Sequence, residues 1–152
     1  MLDMESQADF DRIVADAAPL PLKDAAYALW RRRYRLQTLE GRPRPEEVRA
    51  FRAMTPTEQA ASMRRDRDFA QDGPAFGWLK ASHPRAADSD IKQAIIAAVK
   101  FESACFKYFE QDNIGDYWDC CVRAVAKAAR ENPGFLDDTH RAAENDVAYY
   151  YK

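Results

Sequence analysis

The chain has 152 residues, 47% of them hydrophobic and 12% aromatic, with a formal net charge of −2. That length suits one domain, that apolar content excludes a disordered chain, and so small a charge excludes a strong overall field toward nucleic acid or a membrane surface. Three cysteines, two of them adjacent, make a poor disulfide framework and point to a reducing, cytoplasmic setting.

The N-terminus, MLDMESQADFDR, is acidic and lacks the apolar run of a secretory signal. Its spacing predicts a first helix from about Met4 to Ala17, with Phe10, Ile13 and Ala17 facing inward. Pro19 and Pro21 break the chain, and a long helix is expected from Leu22 to Leu39, ending near Gly41. Its apolar face carries Leu22, Ala26, Leu29, Trp30 and Leu36, with Arg33 near the centre. GRPRPEE then makes a stiff connector into a short helix bearing Val48 and Phe51. Thr55-Pro56-Thr57-Glu58 combines an N-cap Thr, a Pro at the first helical position and a Glu three residues after the cap. The helix it opens is expected to reach about Ala70. Asp72-Gly73-Pro74 punctuates the next short helix, AFGWLKA, which stops before Pro84.

The stretch from Asp90 to Asn113 is the most apolar in the chain and contains no Gly or Pro. As a helix capped by Asp88 or Ser89, it places Ile91, Ile95, Ala98, Cys105, Phe106 and Phe109 on one face, with Glu102 near the centre. Lys92, Lys100, Glu102, Lys107 and Glu110 exclude it as a membrane span. A turn at 113–116 leads into a helix from Tyr117 to Glu131, expected to pair antiparallel with its predecessor. Tyr117, Cys121, Ala124, Val125 and Ala128 face in, and Cys120 turns toward the polar side. Asn132-Pro133-Gly134 ends that helix. The last begins at Asp137 or Asp138, with Leu136, His140, Ala143, Val147 and Tyr150 inside and Tyr149 outside. No strand pattern occurs. The expected fold is all-α, a single-domain helical bundle over 1–152 with about five main helices and two or three short ones.

Three polar residues fall on apolar faces: Glu102, Arg33 and His140. A buried charge needs a partner, so Arg33 and Glu102 are expected to form an ion pair; breaking one side of such a pair typically costs about 3–5 kcal/mol. The same three residues are the candidates for a pocket between helices that takes a small polar or anionic ligand. Asp137, His140 and Glu144 share a helix face, but the ligand set is too thin to assign a metal. The cysteines form no C-x-x-C motif and have no visible base beside them. No catalytic residue and no cofactor is identified, and whether the chain is an enzyme stays open.

Charge is unevenly spread: residues 1–22 carry a net −4, residues 23–67 a net +6 and residues 101–152 a net −4. Arg31, Arg35, Arg42, Arg44, Arg49, Arg52, Arg64 and Arg65 are the candidates for contact with nucleic acid or an acidic partner. The alternative is internal neutralisation by the acidic ends, with i,i+4 pairs such as Glu40–Arg44 where that turn is helical. The leading functional expectation is a non-enzymatic cytoplasmic binding or regulatory domain engaging a protein partner or a second copy of itself. The ligand pocket and nucleic-acid association through 31–67 are the alternatives.

Overall fold

Prolines and side-chain caps set most helix limits. The computed structural model describes residues 3–68 and 73–151, with 64–68 described by backbone alone. Among these residues every regular element is a helix: α1 (Met4–Ala17), α2 (Leu22–Trp30), α3 (Arg33–Leu39), α4 (Pro45–Arg52), α5 (Pro56–Asp68), α6 (Pro74–Ser82), α7 (Asp88–Gln111), α8 (Tyr117–Glu131) and α9 (Asp137–Tyr150). The fold is all-α. None of the described helices is long and apolar enough to cross a membrane. The chain divides into two compact units, Met1–Ile96 and Ala97–Lys152, with the boundary inside α7.

In the first unit α2 packs against α1 and α6, and α1 also meets α6 and α3. Their apolar faces bury Ile13, Ala17, Tyr27, Leu29, Leu36 and Leu79. α1 opens with Asp3, whose carboxylate accepts the Ser6 amide at 2.7 Å. At α5 the Thr55 hydroxyl oxygen accepts the Glu58 amide at 3.2 Å and lies 3.1 Å from the Glu58 carboxylate. The threonine half of the capping box is therefore present, with the hydroxyl proton directed at the Glu58 carboxylate. The expected end of this helix near Ala70 lies outside the described residues.

The long second helix is in fact two. After Trp30 the Arg32 amide turns back to the Leu29 carbonyl at 3.1 Å, and the i→i−4 ladder resumes with Leu36 on Arg32 at 2.9 Å. The break changes the role of Arg33. Its guanidinium donates to the Trp30 carbonyl at 2.9 Å and sits over the Trp30 ring at 4.3 Å and the Tyr34 ring at 4.8 Å. It is half-buried and serves as a cap for the severed helix end.

Asp9 on α1 accepts from Arg12 and, at 2.6 Å, from Arg35 on α3. The Arg35 hydrogen bond, followed by the charges of Arg12 and Arg35, holds the Asp9 carboxyl below the ordinary aspartate value of 3.8. A depressed carboxyl binds protons more weakly folded than unfolded, so its contribution is complete above pH 3.8 and is lost as pH falls through the lower folded value. Amide exchange in α1 is expected to accelerate in that acid window in the native chain. The acceleration should shrink in Asp9→Asn, which has no carboxyl to titrate.

Two further contacts close the first unit. The Trp78 indole donates to the Glu40 carboxylate at 2.6 Å. Glu40 caps α3 just before Gly41, whose φ of +75° turns the chain out of the helix. The Glu40–Arg44 helical pair therefore does not form; Arg44 approaches Glu47 instead, at 4.0 Å. His83 lies 2.8 Å from the Leu20 carbonyl through Nε2 and 2.8 Å from the Ser82 hydroxyl through Nδ1. A carbonyl only accepts, so Nε2 carries the proton and ties the end of α6 to the α1–α2 connection.

In the second unit α8 and α9 run antiparallel, with the Tyr117 hydroxyl at the start of α8 donating to the Ala148 carbonyl near the end of α9. The expected antiparallel pairing of α7 with α8 is not what forms. Adjacent residues of α7 reach opposite ends of α8: the Phe109 ring meets Tyr117 at 5.8 Å, and the Tyr108 hydroxyl donates to Glu131. At the centre, fully buried Phe101 stacks on Phe135 at 4.7 Å.

Candidate protein-binding surface

The turn between α7 and α8 is braced from inside. Gly115 adopts a φ of +103°, open to glycine and strained for other residues. Asp116 follows and caps α8, accepting the Asp119 amide at 3.0 Å. Arg123, one turn further on, donates to the Asp112 carboxylate at 3.4 Å, the Ile114 carbonyl at 3.0 Å and the Cys120 sulfur at 3.3 Å. The Asp112 hydrogen bond holds the guanidinium even more firmly charged than usual. Cys120 is 1% exposed and reaches the Ile114 carbonyl at 3.4 Å. The expectation that Cys120 faces the polar side is thus corrected. The turn folds over it, and Ile114 is turned outward, 83% exposed.

Around this turn the end of α9 adds aromatic rings. Tyr151 stacks on Phe109 at 4.5 Å and lies 6.0 Å from Phe106; Tyr150 meets Phe106 at 5.1 Å and Tyr151 at 5.0 Å. With Tyr117 on Phe109, five rings form one connected group. The group is anchored by the Tyr151 hydroxyl donating to Glu110. Burial first, then that carboxylate, pushes the Tyr151 phenol upward, so it remains a neutral donor. Yet much of the cluster meets solvent. Tyr150 is 71% and Tyr117 40% exposed; Trp118, outside the ring group but next to Tyr117 in sequence, is 44% exposed. The inward placement expected for Tyr117 and Tyr150 is therefore corrected: each touches the cluster but keeps a wet face. Residues 110–119 contribute four acids and no base to this surface, and all four carboxylates are exposed.

The polar residues singled out on apolar faces are placed as follows. Arg33 belongs to the first unit, on Trp30. Glu102 and His140 belong to the second. Glu102 is half-buried, off the centre of its face. The buried stripe of α7 runs through Ile91, Ala94, Ile95, Ala98 and Val99, then through Phe101, Cys105, Tyr108 and Phe109. At 100° per residue the stripe turns by about 60° between those two halves, which leaves Glu102 at its margin. Phe106 is likewise half-buried, and Phe101 holds the position the simple periodicity assigned to Glu102. His140 is half-buried, with its ring 5.9 Å from Phe101 and Nδ1 3.9 Å from Asp137. Thr139, not His140, is the buried polar residue of α9, and Leu136 is exposed. Among the described residues no group of three or more His, Cys, Asp or Glu side chains is arranged to hold a metal ion.

The basic candidates are partly neutralised. Arg35 bonds to Asp9, and Arg42 and Arg44 approach Glu47 at 3.7 and 4.0 Å. Arg31 is half-buried, and Arg49 and Arg52 are exposed in the last turn of α4, where cations complement the helix dipole. The side chains of Arg64 and Arg65 lie outside the described residues. Burial raises the Cys105 thiol, with Glu102 and Asp146 adding to it, and burial raises Cys121 as well, so neither is poised as a thiolate.

Sequence reasoning missed two features. Asp24 is 1% exposed in the first turn of α2; the acid at a helix start, followed by Ala25, Ala26 and Tyr27, was the available signal. The ring cluster was missed because it joins residues about 40 positions apart, and only its tyrosine tail was visible locally. Comparison with protein-family models, with curated proteins and with solved structures finds no match to this chain.

Proposed function

We propose that the protein is a non-enzymatic binding domain that engages a protein partner through the aromatic surface of its second unit. The observation that carries this reading is the ring cluster around Tyr150, left open to solvent on a braced turn. Tyr and Trp give large contact area at low conformational cost and are enriched where proteins meet. The bracing by Arg123, Asp116 and Tyr151 holds the surface in one shape before contact, which lowers the entropy cost of association.

The test is selection of short random peptides on the wild-type chain, with every enriched peptide re-measured on Trp118→Ser/Tyr150→Ser. Both side chains are exposed, so circular dichroism is expected to be unchanged. Binding is expected to weaken at least roughly tenfold, about 1.4 kcal/mol, as for one aromatic hot spot. The Trp118 indole N–H resonance should move on titration. Peptides that bind both proteins equally would sink the reading.

A further inference from the structure

We infer that the segment this surface takes is cationic, seating Arg or Lys side chains on the rings of Tyr150 and Trp118 beside the carboxylates of Glu110, Asp112, Asp116 and Asp119. This rests on the preceding reading of the same surface and adds the chemistry of the partner.

Three observations converge. The turn and the helix ends that flank it hold four exposed carboxylates and no base between 110 and 119. Their internal partners leave acceptor capacity: Asp112 meets Arg123 at 3.4 Å, Asp116 accepts one amide and Glu110 accepts one phenol, whereas a carboxylate has about four acceptor sites. Second, the α8 N-terminus is not a free anion site. Asp116 caps it and Asp119 lies in its first turn, so the helix dipole there is already met by negative charge. An acidic partner would meet like charge from these exposed carboxylates, since Arg123, the base nearest the turn, is already engaged by Asp112. Third, Tyr150 and Trp118 are exposed, and Tyr and Trp rings attract cations. The chain uses the same pairing internally, with Arg33 over Trp30 and Lys127 over Tyr108, both at 4.3 Å.

The inference is tested by titrating the whole chain with four peptides of equal length: arginine-rich, lysine-rich, uncharged Gln/Leu and glutamate-rich. The arginine peptide is expected to bind tightest and the glutamate peptide weakest, with roughly tenfold or more between them, a gap that narrows as salt rises. Asp116→Asn/Asp119→Asn should weaken the arginine peptide several-fold, because Asn still caps a helix while carrying no charge. Tyr150→Phe should retain binding and Tyr150→Ser should lose it. If the uncharged peptide binds as tightly as the arginine peptide and is still lost in Tyr150→Ser, the cationic partner is wrong and the binding surface stands. If no peptide binds, or the arginine peptide is indifferent to Tyr150→Ser and Trp118→Ser, both are wrong.

Discussion

Phe101→Ala is expected to destabilise the protein by about 3–5 kcal/mol, the range for removing a buried aromatic ring without collapse of the site. Phe101 has no solvent exposure, stacks on Phe135 at 4.7 Å and lies 5.9 Å from the His140 ring. The void would be walled by groups fixed from elsewhere. Phe135 sits in the α8–α9 connection, and His140 belongs to a helix already locked to α8. For a chain of this size each kcal/mol moves the melting temperature by about 2–4 °C, so the drop should be roughly 6–20 °C by circular dichroism. Phe101→Leu, which keeps most of the volume, should lose markedly less. A drop of a degree or two for Phe101→Ala would mean that the stacked centre of the second unit is not as described.

The second large effect belongs to Trp78. Its ring is 3% exposed, and its indole donates to Glu40 at 2.6 Å. Trp78→Ala should cost about 3–5 kcal/mol through lost packing. Trp78→Phe keeps much of the apolar ring and deletes only the donor. Glu40 is exposed and can return to water, so that loss should be near 1 kcal/mol. The two variants together separate ring burial from the hydrogen bond. Equal losses would show that the indole–carboxylate contact, not the ring, holds α6 to the end of α3.

Helix limits were legible wherever local chemistry sets them. α1 and α8 begin and end where the caps, prolines and Asn-Pro-Gly predict, and α9 starts at the expected Asp137 although no side chain caps it. The break in the second helix was not, because no Gly or Pro marks it. It shows only in the hydrogen bonds, where the Arg32 amide turns back to Leu29 and the Arg33 side chain takes the Trp30 carbonyl. Glu102 shows the limit of fixed periodicity on a long helix. A 24-residue helix need not present one straight stripe, and a turn of the stripe by about 60° exchanges Phe101 for Glu102 in the core. Cys120 and Tyr150 depend on residues far along the chain, a turn that folds over the one and a terminal helix that leaves the other wet. The candidate surface was visible only as a run of tyrosines, since its rings come from three separate helices.

The burial of all three sulfurs has a chemical consequence. Cys105, Cys120 and Cys121 are each at most 1% exposed, and all lie in the second unit. A thiol reagent can reach them only when the packing opens, so alkylation of the native protein is a clock for internal breathing. Cys120 is freed by release of the braced turn, whereas Cys105 waits for the body of α7 to part. The order in which the two are alkylated therefore times the departure of the binding turn against the unfolding of its scaffold.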